Sequence, residues 1–218
     1  LLEKPYGSYS SRNFKNTLAS LCKGLKIDFE VRTETAQGWI QIDLKGDDEP
    51  VAQQILAQEI GYASMSADRV GKFANLRGRI FNSMRATSEL NVDVGVFTPS
   101  VFPTVISLST LRAQLMDGKD ATLQHVVELY CLRDRMPLHI KILGELDSAR
   151  SSWNAEFSEA QLSLFSTWVR SNLDRLIVLG ANRMEVEEAV QKAGHSRDIV
   201  RIETLGLLEY ALECKLGT

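Results

Sequence analysis

The run Leu90-Asn91-Val92-Asp93-Val94-Gly95-Val96 sets an apolar side chain at every even position, with a polar residue or glycine between. A period of two marks a strand with one buried face. Gly95 inside it predicts a bulge or a sharp bend. Upstream, Arg77-Gly78-Arg79-Ile80-Phe81 reads as a first strand, and downstream Thr104-Val105-Ile106-Ser107-Leu108 reads as a third. Ser109 is placed to cap a short helix through Leu115, which Asp117-Gly118 closes. A second helix follows from Ala121 to Leu132, and Pro137 precedes a strand from Leu138 to Leu143 that alternates around His139 and Lys141.

On the N-terminal side, Phe14, Leu18, Leu21, Cys22 and Leu25 keep helical spacing, with Gly24 as a stop. Ile27-Phe29-Val31 and Trp39 to Leu44 read as a hairpin around Thr35-Ala36-Gln37-Gly38. Asp47-Asp48-Glu49-Pro50 opens a second helix with stripe Ala52, Ile55, Leu56 and Ile60. On the C-terminal side, Ser158 with Gln161 and Asn182 with Glu185 are capping-box signatures. The short apolar strand Leu176–Leu179 lies between those two helices, and Ile199–Ile202 and Leu207–Cys214 form a hairpin around Gly206. The fold class expected is a multidomain α+β protein. Its sections are an α-β-β-α domain over 1–68, a strand-rich domain over 69–150 and an α-β-α-β-β domain over 151–218, with 62–75 as the linker.

The 218 residues carry 25 Lys plus Arg against 28 Asp plus Glu, a formal net charge of −3, and 44% are hydrophobic. Such a chain has the apolar content for packed cores and is not a generic phosphate-coating protein. The charge is uneven. Residues 69–150 hold 11 basic and 8 acidic side chains, while 1–68 and 151–218 each hold 7 and 10. Arg69, Lys72, Arg77, Arg79 and Arg85 follow one another with no acid between them. They read either as a phosphate-contacting edge or as a solvated basic strand beside acidic neighbours.

No apolar run reaches the length of a membrane span, and the opening Leu1-Leu2-Glu3-Lys4-Pro5-Tyr6 does not read as a signal peptide. Cys22, Cys131 and Cys214 are few and scattered, which predicts free thiols and a cytoplasmic location. Phosphate-loop, dinucleotide, zinc-protease and serine-hydrolase signatures are absent, so no enzyme, cofactor or metal is expected. Asp47-Asp48-Glu49 reads as a helix start rather than a cation site. The one dense polar run is His195-Ser196-Arg197-Asp198. It is either an anion-binding or acid–base loop or a helix-ending turn with an internal ion pair. His125 and His139 read as structural histidines in regular elements. Trp39, Trp153 and Trp168 read as core or partly buried by default, with Trp153, in a polar run, the one whose ring is open to stacking or contact.

Two resemblances stand on these residues. Arg77-Gly78-Arg79-Ile80, Val92-Asp93-Val94-Gly95-Val96-Phe97 and Ile106-Ser107-Leu108-Ser109 resemble the opening of an S1-like OB fold. The resemblance implies a five-stranded barrel that binds RNA. Lys192-Ala193-Gly194-His195-Ser196-Arg197-Asp198-Ile199-Val200 with Leu205-Gly206-Leu207-Leu208-Glu209 resembles the C-terminal end of an archaeal family of domains of unknown function, the 2110 family. That likeness implies archaeal origin and a three-part architecture.

Two functions follow as expectations. The first is binding of RNA or single-stranded nucleic acid, with Arg77, Arg79 and Arg85 on phosphates and Phe97 and Phe102 stacking on bases. The second is a protein-interaction or assembly role with a degenerate barrel. A reaction run by the His195–Asp198 loop is the third and least supported. No membrane partner is expected.

Overall fold

The computed structural model describes residues 1–4, 8–32, 38–63, 65–147 and 149–215, leaving aside the side chains of 8–12 and 65. The expected turn at Thr35-Ala36-Gln37 and the opening Pro5-Tyr6 lie outside the described residues. The chain divides into two compact units. One is Ala63–Asn172, and the other joins Leu1–Tyr62 to Leu173–Thr218.

The split unit begins with α1 (Ser8–Leu21), β1 (Ile27–Arg32), β2 (Gln41–Gly46) and α2 (Glu49–Glu59). β1 and β2 pair antiparallel from Ile27↔Gly46 to Arg32↔Gln41. Phe14 and Leu18 of α1, Ile40 before β2, and Leu56 and Ile60 at the α2 end are all buried, and Leu208 from the far end of the chain joins the same cluster. Burying that apolar surface is what holds the two segments as one unit. A polar tie adds to it. The Asn13 amide donates to both carboxylate oxygens of Glu185, at 2.8 and 2.7 Å.

The inserted unit contains β3 (Met65–Ser66), β4 (Asn75–Phe81), β5 (Glu89–Asp93), β6 (Val96–Thr98) and β7 (Thr104–Ser107). It continues with α3 (Leu108–Leu115), α4 (Leu123–Leu129), β8 (Pro137–Ile142), β9 (Trp153–Phe157) and α5 (Glu159–Ser171). Five strands close into a barrel in the order β4-β5-β7-β9-β8. All neighbours are antiparallel except β7 and β9, which run parallel. Ile80, Leu90, Val92, Ile106, Leu138, Ile140, Ala155 and Phe157 are buried along its strands. Phe157 meets Phe165 of α5 edge-on at 5.4 Å.

The remaining elements, β10 (Asp174–Leu179), α6 (Arg183–Lys192), β11 (Ile199–Thr204) and β12 (Glu209–Cys214), belong to the split unit. β12 lies between β10 and β11, antiparallel to both. Val186 of α6 packs with Tyr210, Leu212 and Cys214 on one face. Asn182 and Glu185 complete the expected capping box. The opposite alternation carries an ionic set, in which buried Arg175 meets buried Glu213 at 2.9 Å and half-exposed Arg201 meets Glu203 at 2.5 Å.

The structure therefore divides the chain differently from the expected boundaries at 68 and 150. Trp153–Phe157 is the barrel's closing strand and the Ser158-capped helix stays with it, while the first and last sections share a core. Trp153 is 2% exposed, so its ring takes the default core reading and not the exposed alternative, because its alternation with Ala155 and Phe157 points all three inward.

Two glycines fit this closure. Gly95 has φ +76, donates its N–H to the Asp93 carboxylate at 2.9 Å and turns the chain from β5 into β6. At Gly78 a Cβ would stand 2.5 Å from Val92 Cγ1 and 3.0 Å from the Asp93 carbonyl oxygen. Gly78→Ala is expected to cost about 1–3 kcal/mol through this overpacking of β4 on β5. A lowered urea midpoint for the barrel unit is the expected result, read from the near-UV signal of the full chain.

Candidate nucleic-acid interface

Alternation along the barrel strands sorts side chains into an interior and an outer face. On β4 the inward Leu76, Gly78 and Ile80 alternate with Asn75, Arg77 and Arg79, and on β8 the inward Leu138 and Ile140 alternate with His139 and Lys141. The register sets Asn75 opposite Lys141 and Arg77 opposite His139. β9 adds Glu156 opposite Lys141, with its carboxylate 3.5 Å from the Lys141 ammonium.

The start of α5 borders this face. Ser158 donates its backbone N–H to the His139 carbonyl at 3.0 Å, and the Gln161 side-chain oxygen accepts from the His139 N–H at 3.0 Å. The capping box expected of Ser158 and Gln161 is thus half used. Ser158 Oγ accepts from the Gln161 backbone, but Gln161 turns to β8 instead of back to its own cap. From the other side, the Gln114 amide of α3 donates to the Phe157 carbonyl and accepts from its N–H. Between these supports lies a cavity of about 520 Å³, with Asn75, His139, Lys141, Glu156 and Glu159 on its walls.

Burial, and after it the Arg77 guanidinium, hold the His139 imidazole below its ordinary value of 6.5, so it is neutral near pH 7. Its ring has no hydrogen-bond partner among the described residues. Just before β4, Phe73 is 56% exposed in a left-handed conformation (φ 63°) with the Lys72 ammonium 5.4 Å from its ring centroid. An exposed aromatic beside a cation has the chemistry to stack on a base next to a phosphate. The sequence reading passed over Phe73 because it lies in a segment of small and polar residues. The adjacent Lys72 was the available signal.

The expected phosphate contacts divide. Arg77 is on the outer face and exposed. Arg85 is exposed at the end of the turn after β4, whose Ser83 is buried. Arg79 is only 4% exposed and donates to the Arg135 backbone carbonyl at 2.8 Å, so its expected role is corrected to a structural one. The turn before β8 covers its guanidinium. Phe97 is half-buried on β6, and Phe102, in the loop before β7, sets its ring edgewise to Trp153 at 5.7 Å. Neither stands on β4 or β8. The other outer face, on β5 and β7, presents Glu89, Asn91, Asp93 and Ser107, and Glu89 already meets Arg150 at 3.5 Å.

In the His195-Ser196-Arg197-Asp198 loop, His195 Nδ1 lies 2.8 Å from an Asp198 carboxylate oxygen. The His195 N–H donates to Val190, and the Lys215 N–H to the Asp198 carbonyl. The loop closes α6 and positions β11. Ser196 instead borders an open cavity of about 550 Å³ beside α6 and β11, and Arg197 is exposed. His195 and Asp198 are thus brought together without the hydroxyl or the guanidinium.

Cys22 and Cys214 are buried free thiols and Cys131 is half-buried. Among the described residues no group of three or more His, Cys, Asp or Glu is placed to hold a metal ion. No helix among them is long and apolar enough to cross a membrane.

Comparison with curated proteins finds no match. Residues 173–218, which hold β10, α6, β11 and β12, match the family model described as the DUF2110 C-terminal domain.

Proposed function

We propose that this protein binds RNA or another single-stranded nucleic acid through the outer face of its barrel, without catalysing a reaction. The observation that carries the reading is the juxtaposition on β4 and β8 of Arg77, Lys141 and neutral His139, with the Lys72–Phe73 pair preceding β4. Cations that track a backbone beside an exposed aromatic are the elements of single-strand binding. The barrel topology supports it. Five strands close with the third and fifth parallel, and helices intervene between the third and fourth, as in an S1-like OB barrel. An archaeal source and a cytoplasmic setting fit the same reading.

A protein partner is the second reading. It is favoured by β11, which pairs only with β12 among the described residues and holds Val200 48% exposed. Co-purification from native lysate with and without nuclease separates the two. Nucleic acid recovered only in the untreated arm supports the first, and a stoichiometric protein in both arms supports the second.

Binding to a labelled single-stranded RNA is expected to weaken with salt, because each phosphate neutralised contributes a slope of about −0.7 in the log–log plot. Arg77→Ala combined with Lys141→Ala is expected to lose about tenfold in affinity and about one unit of that slope. Unchanged affinity in the double variant, or no binding at low salt, would sink the reading.

The same site sets a pH dependence. The Arg77 charge contributes to holding His139 neutral. A phosphate on Arg77 offsets that charge and favours the imidazolium, so binding takes up a proton. Affinity is expected to rise as pH falls from about 7.5 to 5.5. Anisotropy titrations of His139→Gln should show a flatter profile over that range.

A further inference from the structure

We infer that the cavity beneath α5 is a base pocket selective for guanine, a deepening that rests on the nucleic-acid reading above. The cavity walls and the face around them differ in chemistry. Arg77 stands on the face but does not line the cavity, whereas the walls hold two carboxylates, Glu156 and Glu159, against the single Lys141 ammonium. A phosphate would meet those carboxylates, so the phosphates run over Arg77 and the base enters.

The walls also decide which base. Gln114 is spent on both backbone groups of Phe157, and Ser158 Oγ on its helix cap. The groups left to a ligand are the Glu156 and Glu159 carboxylates, the His139 ring, the Asn75 amide and the remaining N–H donors of Lys141, with the His139 and Asn75 side chains lacking hydrogen-bond partners among the described residues. Glu156 is partly buried, and Lys141 meets one of its oxygens at 3.5 Å. A carboxylate takes two parallel N–H donors in one plane. Guanine alone presents two adjacent N–H donors on its Watson–Crick edge; adenine, cytosine and uracil each offer one donor position there. RNA readers commonly take an unstacked base on that edge. The volume of about 520 Å³ admits a purine with its sugar.

The test uses the full chain and labelled single-stranded RNA nonamers at low salt. One is all uridine, and the others carry a single central guanosine, adenosine or cytidine. The guanosine nonamer is expected to bind about tenfold tighter than the other three, within the range of a good bidentate base contact. In Glu156→Gln, where one acceptor oxygen becomes a donor, the ratio should fall to about one. Glu156→Asp, which keeps the carboxylate, should retain part of the preference. Thermal melts establish that each variant is folded. Equal binding of all four nonamers to the unaltered protein overturns the base pocket while leaving nucleic-acid binding intact, and so does a guanosine preference that survives in Glu156→Gln. Absence of binding to every nonamer overturns both readings together.

Discussion

The parallel pairing of β9 with β7 is the constraint on which the barrel and its candidate site depend. Thr104 pairs with Trp153 and Val105 with Asn154, while β9 turns its other edge to β8 from Ile140↔Phe157 to Ile142↔Ala155. Without that strand, β7 and β8 would each present a row of unpaired backbone groups. The aromatic residues at the ends of β9 fix it in depth. Trp153 is buried against the edge of Phe102, and Phe157 against Phe165. Everything around the cavity hangs on this register. Ser158 follows β9 directly, bonds to His139 and caps α5, whose Gln161 returns to the same residue of β8. A shift of one residue in β9 would exchange Glu156 with Phe157 and turn an apolar ring onto the face that now carries charge.

What was legible in the sequence was what local periodicity encodes. The alternation of Leu90 to Val96 gave β5, and Gly95 marked the bend where β5 ends and β6 begins. Asn182 and Glu185 marked the start of α6 because a capping box is a contact three residues apart. The boundary at 150 failed for the opposite reason. Trp153-Asn154-Ala155-Glu156-Phe157 alternates, but polar serines precede it and its partners lie on β7 and β8. A reading of neighbours has no access to them. The shared core of the first and last sections was invisible for the same cause, since Leu208 joins the cluster of Phe14 and Leu18 only through the fold.

The candidate site was legible in part, and each departure has a physical origin. Arg77 and Arg79 are two apart on a strand and so share a face, yet only the second is covered by the turn that supplies the Arg135 carbonyl. Alternation tells which face a side chain occupies and not what later folds over it. His139 and Lys141 read as members of an ordinary strand. Their importance comes from standing across from Arg77 and Asn75, a register no local pattern specifies.

The corrected division also changes the electrostatic argument. The unit 63–172 contains 12 basic and 11 acidic side chains, net +1, and the split unit 13 and 17, net −4. A surplus of one charge says almost nothing about nucleic acid. Screening limits the reach of exposed charges to about 8 Å at physiological salt, so what a strand of phosphates meets is the sign of a face, not of a unit. The two outer faces of the barrel differ in that sign. β5 and β7 show Asp93 and a Glu89 that meets Arg150, and β4 and β8 show Arg77 and a Lys141 that meets Glu156, beside a histidine kept neutral. Glu156 stands at the edge of the positive face, where it lowers the non-specific attraction that the cations supply. A site meant only to hold phosphates gains nothing from that carboxylate. Under the base-pocket proposal, its position opposite Lys141 limits that attraction and leaves a carboxylate for a group that can donate to it.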